Sequence, residues 1–301
     1  MTQTAFREGK LAEEAAWQTV VMIPKGKGGF RGIGLVEVTW KVMAVILHRR
    51  LTTGLQLHDE LHGFREGRGT GTATLEAKLL HQLAAMREEV MYVIFLGLTK
   101  AYDALDRSRS LEILKGYGVG GRVRKMLSEY REWTTMVARA GSYYGKGFNG
   151  GRGVTQGDPL SPTIFNVVVG AVVRHWLTIA VKEADKRGER GREGRHQAAL
   201  LYADDGMLAS SDPQWLQWSF TQLVGLFDRV GLKTNCGKTV SMTCRPCSTP
   251  GNRSEEAYGR LMTGEGSTPR ERKRERTTCW DCGREMAAGL LYSHRMTQHV
   301  K

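Results

Sequence analysis

Two adjacent acids, Asp204 and Asp205, sit between apolar runs in Leu200-Leu201-Tyr202-Ala203-Asp204-Asp205-Gly206-Met207-Leu208. Ala198 to Tyr202 reads as a strand and Met207 to Ala209 as its return, which places both carboxylates at a hairpin tip. Such a tip aims charge into a cleft while its flanks stay buried. The same residues also make an ordinary Asp-turn, because Asp and Gly favour turns in their own right. A second constellation lies near the end of the chain, where Cys279-Trp280-Asp281-Cys282 is followed by His294 and His299. Cys-x2-Cys-x11-His-x4-His is close to the spacing of a Cys2His2 zinc site. Met286 and Leu291 take the places of its small core, and a helix over Leu290–His299 sets both histidines on one face. Zn2+ is therefore expected on Cys279, Cys282, His294 and His299. Cys244 and Cys247 form another Cys-x-x-Cys, read as free thiols, with a four-cysteine site alongside Cys279 and Cys282 as the alternative.

Three glycine-rich stretches stand out, the first carrying groups suited to phosphate. Pro24-Lys25-Gly26-Lys27-Gly28-Gly29-Phe30-Arg31 follows a predicted strand over Trp17–Ile23. Glycines let backbone amides approach a phosphate, and Lys25 and Arg31 supply cations. A plain Lys/Gly hairpin would look similar, and the Gly-Lys-Ser/Thr ending of a P-loop is missing. Leu61 to Thr70 is a glycine-spaced loop with Arg65 and Arg68. Gly151 to Pro162 brings Gln156, a neutral donor and acceptor, and Gly157 ahead of a helix with Ser161 as N-cap and Pro162 at its first position.

These groups need a scaffold, and the periodicities supply one. Helical spacing marks Trp40–Leu51 (Val42, Val45, Ile46) and Thr70–Glu89, where Leu75, Leu79, Leu83 and Met86 form a stripe expected in the core. Val90–Leu96 is a continuous apolar run, expected as a buried central strand. Helices are predicted over Ser108–Lys115, over Gly118–Trp133 with a basic face, from Ser161 to about Ala184, and over Gln214–Val230 with Leu216, Phe220, Leu223 and Phe227 inward. Lys182–His196 reads as an exposed charged tip, and residues 249–278 as a basic linker.

The 301 residues are 41% hydrophobic and carry a net charge of +13. That favours a globular core and a polyanionic partner such as nucleic acid. An anionic membrane surface is the rival, but no anchoring signal supports it. The start is polar, and the longest apolar run, Ile164–Val173, is too short to cross a bilayer. No cysteine precedes Cys236, and the chain's five are clustered late, which argues against a secreted disulfide framework, so an intracellular location is expected. Nothing in the sequence sets an oligomeric state.

The order of segments then becomes specific. Leu98-x-Lys100-Ala101-Tyr102-Asp103 is followed by Gly153-x-x-Gln156-Gly157-Asp158-Pro159-Leu160-Ser161-Pro162. Next come Tyr202-Ala203-Asp204-Asp205 and Gly231-Leu232-x-x-Asn235-x-x-Lys238-Thr239. Over residues 17–243 this resembles the reverse transcriptase domain of non-LTR retroelements and group II intron-type polymerases. Ile23-Pro24-Lys25…Arg31-Gly32-Ile33 and Gly63-Phe64-Arg65-x-Gly67-Arg68 resemble upstream fingers motifs of that group. The resemblance implies an α+β right-hand polymerase, with fingers and an antiparallel palm sheet in residues 1–248. A basic linker with a short or missing thumb (249–278) and a small ββα zinc finger (279–301) would follow. It implies an RNA template, a DNA primer and dNTPs as partners, no membrane, and a nuclear location for a eukaryotic element. No endonuclease is expected ahead of the fingers.

It also implies chemistry. In-line nucleotidyl transfer uses two Mg2+ to stabilise the attacking and leaving oxygens. Two divalent ions about 4 Å apart repel by roughly 17 kcal/mol at an effective dielectric near 20, so several carboxylates must offset them. Asp204 matches one metal-bridging residue, and Asp205 is its neighbour. The other should stand at the end of the first palm strand, where this sequence has Gly97. The expectation is an RNA-directed DNA polymerase by descent whose activity is impaired. The alternative is a non-catalytic nucleic-acid-binding protein. By the same resemblance Tyr102 would block a ribose 2′-hydroxyl, Lys25 and Arg31 would hold the triphosphate, Gln156 and Gly157 would shape the template–nucleotide pocket, and Lys238 would serve as an acid or phosphate contact.

Overall fold

The apolar runs and helical stripes resolve into eleven strands and seven helices among the described residues. The computed structural model describes residues 7–8, 13–26, 28–188 and 198–245, with the backbone of 276–278 and 285–287. The first half holds β1 (Trp17–Pro24), β2 (Phe30–Val36), α1 (Val38–Gly54), α2 (Thr70–Met86), β3 (Met91–Thr99), α3 (Ala101–Ala104), α4 (Arg107–Gly116), α5 (Gly121–Trp133), β4 (Thr135–Ala140) and β5 (Tyr143–Phe148). Then come α6 (Ser161–Lys186), β6 (Ala198–Tyr202), β7 (Asp205–Ser210), α7 (Pro213–Arg229), β8 (Lys233–Thr234), β9 (Val240–Cys244), β10 (Arg276–Thr278) and β11 (Glu285–Ala287). The chain divides into two compact units. The first gathers described residues through Asp59 with Lys100–Arg174 and Leu226–Lys233; the second gathers Glu60–Thr99, His175–Gly225 and residues from Thr234 on.

The first unit carries a sheet of order β2-β1-β4-β5, with β1 antiparallel to β2 and parallel to β4. Gly28 and Gly29, both at positive φ, turn β1 into β2. Glu37 caps α1 by accepting from the Thr39 amide at 2.6 Å. The face that α1 buries is Trp40, Met43, Ala44 and Leu47. The predicted helix is therefore present, but its core seam is not Val42, Val45 and Ile46: Val42 is exposed and the other two are half-buried. Trp40 stacks on Tyr130 of α5. The Asp106 carboxylate caps α4 by accepting from the Arg109 amide at 2.9 Å.

The second unit is built on a sheet of order β6-β7-β3-β8, with β9 also pairing β3. The apolar run at Val90–Leu96 becomes β3, which extends through Gly97 to Thr99 between β7 and β9. Helix α2 corrects an expectation. Its predicted core stripe is outside, with Leu75 58%, Leu79 54%, Leu83 43% and Met86 83% exposed. The inward face is Ala77, Leu80 and Ala84, packed on Met91, Val93, Leu200, Met207 and Ala209. Alanines let the helix lie close to the sheet, and the leucines take the other side.

Helix α6 begins at Ser161 itself, so the N-cap expected there moves upstream: the Ile164 amide donates to the Leu160 carbonyl, and Asp158 accepts from the Leu160 amide. The apolar run Ile164–Val173 belongs to this 26-residue helix. By length and composition alone the whole helix could cross a membrane, yet 61% of its most apolar stretch is buried within the protein, as a core helix is. Helix α7 buries Leu216, Phe220, Leu223 and Phe227 as predicted, and Gly231 at φ +82 follows it. Residues 189–197, Cys247, the 249–275 part of the linker and the four zinc ligands lie outside the described residues.

Candidate active site

The acid hairpin is short. Tyr202 pairs with Asp205, leaving Ala203 and Asp204 as the turn, so Asp205 is the first residue of β7. Ala203 sits at φ +52, a left-handed conformation that costs a non-glycine residue roughly 1 kcal/mol. Tertiary contacts hold it there. The Leu98 amide donates to the Asp204 carbonyl at 2.7 Å. The segment before the glycine-spaced loop clasps β6: the Leu201 amide donates to Glu60 O at 2.7 Å, and the His62 amide to Leu201 O at 2.8 Å. Gly63 crosses so closely that a Cβ there would lie 2.7 Å from the Ala203 nitrogen. The buried ring of His62 lies between Thr72 Oγ1 and Glu76 Oε2, each at 3.2 Å. Burial pushes its pKa down, and the Glu76 carboxylate pulls it back up. Sequence reasoning missed His62, whose only signal was an imidazole flanked by apolar Leu61 and Gly63.

Across the hairpin, Gly97 of β3 pairs with Asp205 of β7. A Cβ built on Gly97 would stand 3.4 Å from Asp205 Oδ1, so a carboxylate at this position would face the acid pair. The Lys238 side chain covers Gly97 instead, with Cδ 3.0 Å and Cβ 3.2 Å from that same point. The Lys238 amide donates to Asn235 O at 3.0 Å, and the Asn235 amide to Gly97 O at 2.7 Å, which fixes the loop over the strand. Partial desolvation of its carboxyl and the neighbouring Asp204 raise the Asp205 pKa, although the residue as a whole is exposed, while Lys238 lowers it. Asp103 is exposed on α3, in the other unit. Among the described residues no three His, Cys, Asp or Glu side chains gather as a metal-ligand set. Asp204 and Asp205 are hard oxygen donors suited to a divalent cation, and Gly97 beside them contributes no side-chain ligand.

The other candidates belong to the first unit. Lys25 is exposed in the β1–β2 turn, and Arg31 is exposed on β2 opposite Ile23. The Gly34 amide of β2 donates to Gln156 O at 2.7 Å, and Gly157, at φ +111, packs against the Gly34 carbonyl too closely for any side chain. The loop with Gln156 and Gly157 is thereby fastened to the strand that carries Arg31. Half-buried Tyr102 stacks on Phe165 at 5.1 Å, and its carbonyl accepts from the Val154 amide at 2.8 Å. The structure thus joins Tyr102, Gln156, Gly157 and β2 through one loop. A further group escaped sequence reasoning: Arg131, buried among apolar residues, beside Arg107 and Asp158. An arginine on the apolar face of α5, next to Leu127 and Tyr130, was the available signal.

A family profile described as reverse transcriptase (RNA-dependent DNA polymerase) matches residues 23–274. The chain is 27% identical over 248 residues to a Retrovirus-related Pol polyprotein from type-2 retrotransposable element R2DM of Drosophila melanogaster, covering 79% of this chain and 22% of that one. It is 27% identical over 227 residues to a Retrovirus-related Pol polyprotein from type-1 retrotransposable element R2 of Nasonia vitripennis, covering 71% and 20%. The chain spans about a fifth of the length of these relatives. Among solved structures, telomerase from Candida tropicalis with a TWJ fragment of telomeric RNA aligns at a TM-score of 0.56 and 14% identity, covering 90% of this chain and 47% of that one. Telomerase from Candida albicans aligns at 0.55 and 13%, covering 78% and 44%. At such identities the likeness is one of fold. By the match over residues 23–274, the chain belongs to the reverse transcriptase (RNA-dependent DNA polymerase) family.

Proposed function

We propose that this chain is the polymerising portion of a non-LTR retroelement protein, built to copy an RNA template from a DNA primer with dNTPs, and that this copy is impaired in nucleotidyl transfer. The observation that carries the impairment is the pairing of Gly97 with Asp205. An aspartate there would complete an anionic cup with Asp204 and Asp205, and glycine offers no ligand atom. Bound Mg2+ would supply charge stabilisation at the attacking and leaving oxygens. Asp204 and Asp205 are the residues that would hold it. Lys238, folded over Gly97, is placed to meet a phosphate or donate a proton to a leaving group. In the first unit, Gln156 and Gly157 line the template–nucleotide side, Tyr102 restricts the sugar, and Lys25 and Arg31 meet the triphosphate.

A second reading rests on the same missing carboxylate together with the +13 charge: a protein that keeps the nucleic-acid cleft and has lost the chemistry. Primer extension on an RNA template with Mg2+, comparing wild type with Gly97→Asp, separates the two. Weak wild-type extension rescued by the substitution supports the impaired polymerase. No extension by either protein, with salt-sensitive RNA binding intact, supports the binding protein. Robust wild-type extension, unchanged by Gly97→Asp, refutes the impairment.

The C-terminal segment is proposed as a zinc finger on Cys279, Cys282, His294 and His299, with Arg270–Arg276 adding backbone contacts to nucleic acid. Strands β10 and β11 pair antiparallel and bracket Cys279–Cys282 in sequence, as a ββα finger requires. Identical NMR spectra of residues 279–301 with and without a zinc chelator would exclude it.

A further inference from the structure

We propose that the first unit holds a small monovalent anion of the halide class against the guanidinium of Arg131, beneath the loop that carries Gln156. Arg131 lies on α5 and is 8% exposed. Its Nη1 and Nη2 are buried and meet no hydrogen-bond acceptor among the described residues. Burial and the neighbouring Arg107 push its pKa down to about 10, so it stays charged at neutral pH. A buried cation with unmade hydrogen bonds is costly unless something accepts them.

The surroundings narrow what that partner is. Arg107 turns two of its nitrogens to protein carbonyls: Nε donates to Gly153 O at 3.0 Å and Nη1 to Arg131 O at 3.1 Å. Asp158 is the one acid lining the cavity among the described residues, and its oxygens are taken by the Leu160 amide at 2.9 Å and Trp40 Nε1 at 3.1 Å. Two guanidinium charges thus face one carboxylate. The cavity they line is about 20 Å³. So small a space for a centred group favours a small monovalent anion over a bulkier one. Water would accept the hydrogen bonds and leave the excess charge; a halide answers both. Gly153, Val154 and Thr155 also line the cavity, so the anion would tie α5 to the loop leading into Gln156 and Gly157.

The test reads stability and is independent of polymerase activity. Thermal unfolding of the full chain is followed in sodium chloride, sodium bromide and sodium gluconate at equal ionic strength. Screening of the overall charge is common to all three, whereas gluconate is too large for the cavity. Chloride and bromide are expected to raise the folded-to-unfolded ratio about tenfold over gluconate near ten times the dissociation constant, a Tm rise of about 3–5 °C. Arg131→Met should abolish the difference between salts. Crystals of the wild type grown in bromide should show anomalous scattering within hydrogen-bonding distance of Arg131, a readout that holds even where the variant does not fold. Equal Tm in chloride and gluconate, a chloride effect that survives in Arg131→Met, or an ordered water in place of bromide would each overturn the assignment.

Discussion

Introducing a carboxylate at position 97 should change how stability responds to Mg2+, whatever its effect on polymerisation. In Gly97→Asp the new Cβ would lie 3.4 Å from Asp205 Oδ1, so the two carboxyl groups come within about 4 Å of each other. Two like charges at that distance repel by about 1 kcal/mol in bulk water and about 4 kcal/mol at an effective dielectric of 20. Asp205 is exposed, so the lower half of that range applies. The Lys238 methylenes, 3.0–3.2 Å from the same Cβ, must also give way by a few tenths of an ångström. Gly97→Asn isolates this steric part, being nearly isosteric and uncharged. In EDTA, Gly97→Asp should therefore unfold about 2–6 °C below Gly97→Asn, taking about 2–3 °C per kcal/mol. Millimolar Mg2+ should close that gap for Asp and leave wild type and Asn unmoved. If Asp and Asn melt together in EDTA, or if Mg2+ moves both equally, the placement of position 97 in the acid cup is wrong.

Other outcomes follow from the same structure. Gly153→Ala should destabilise by about 3 kcal/mol in urea unfolding, because φ is +78 and its Cβ would lie 2.5 Å from Tyr102 O and 2.6 Å from Asp103 O. On α2, Leu80→Ala should cost about 2 kcal/mol, whereas Leu79→Ala, on the exposed stripe, should stay within about 0.5 kcal/mol. Burial depresses the pKa of His62 in the fold, so the unfolded chain takes up the proton first as pH falls below about 6.5. Its contribution is therefore unchanged above that pH and becomes destabilising below it. His62→Gln should flatten this acid-side slope in pH-dependent melting, and an unaltered slope would show that the ring titrates normally.

Much of this was legible in the sequence because it is local. The hairpin around Asp204 follows from two apolar runs and a turn, and the inward face of α7 from a 3.6-residue stripe. Gly97 could be singled out because a motif fixes its place in the strand. The seam of α1 and the orientation of α2 were not legible, since both helices carry apolar residues on more than one face. Ala77, Leu80 and Ala84 win the sheet-facing side by fitting against Met91 and Met207, a choice made by tertiary packing. The buried pair Arg107 and Arg131 was hidden for a similar reason: the residues that enclose it come from α1, α4, α5 and the loop before α6, far apart in sequence. Gly63 reads as one of several glycines in a spaced loop with two arginines, and its close approach to Ala203 depends on a pairing no local pattern announces.

The clasp of Glu60 and His62 on Leu201 has an evolutionary corollary. A one-residue slip of β6 would exchange the faces on which Asp204 and Asp205 lie, and main-chain bonds from a separate segment resist it. Those bonds involve neither carboxylate and owe nothing to a bound ion. The frame can thus outlive its own chemistry and drift without pressure to unravel. Glycine and aspartate codons that end in a pyrimidine differ at a single base, so on the proposed reading one nucleotide separates this acid pair from a three-carboxylate cup.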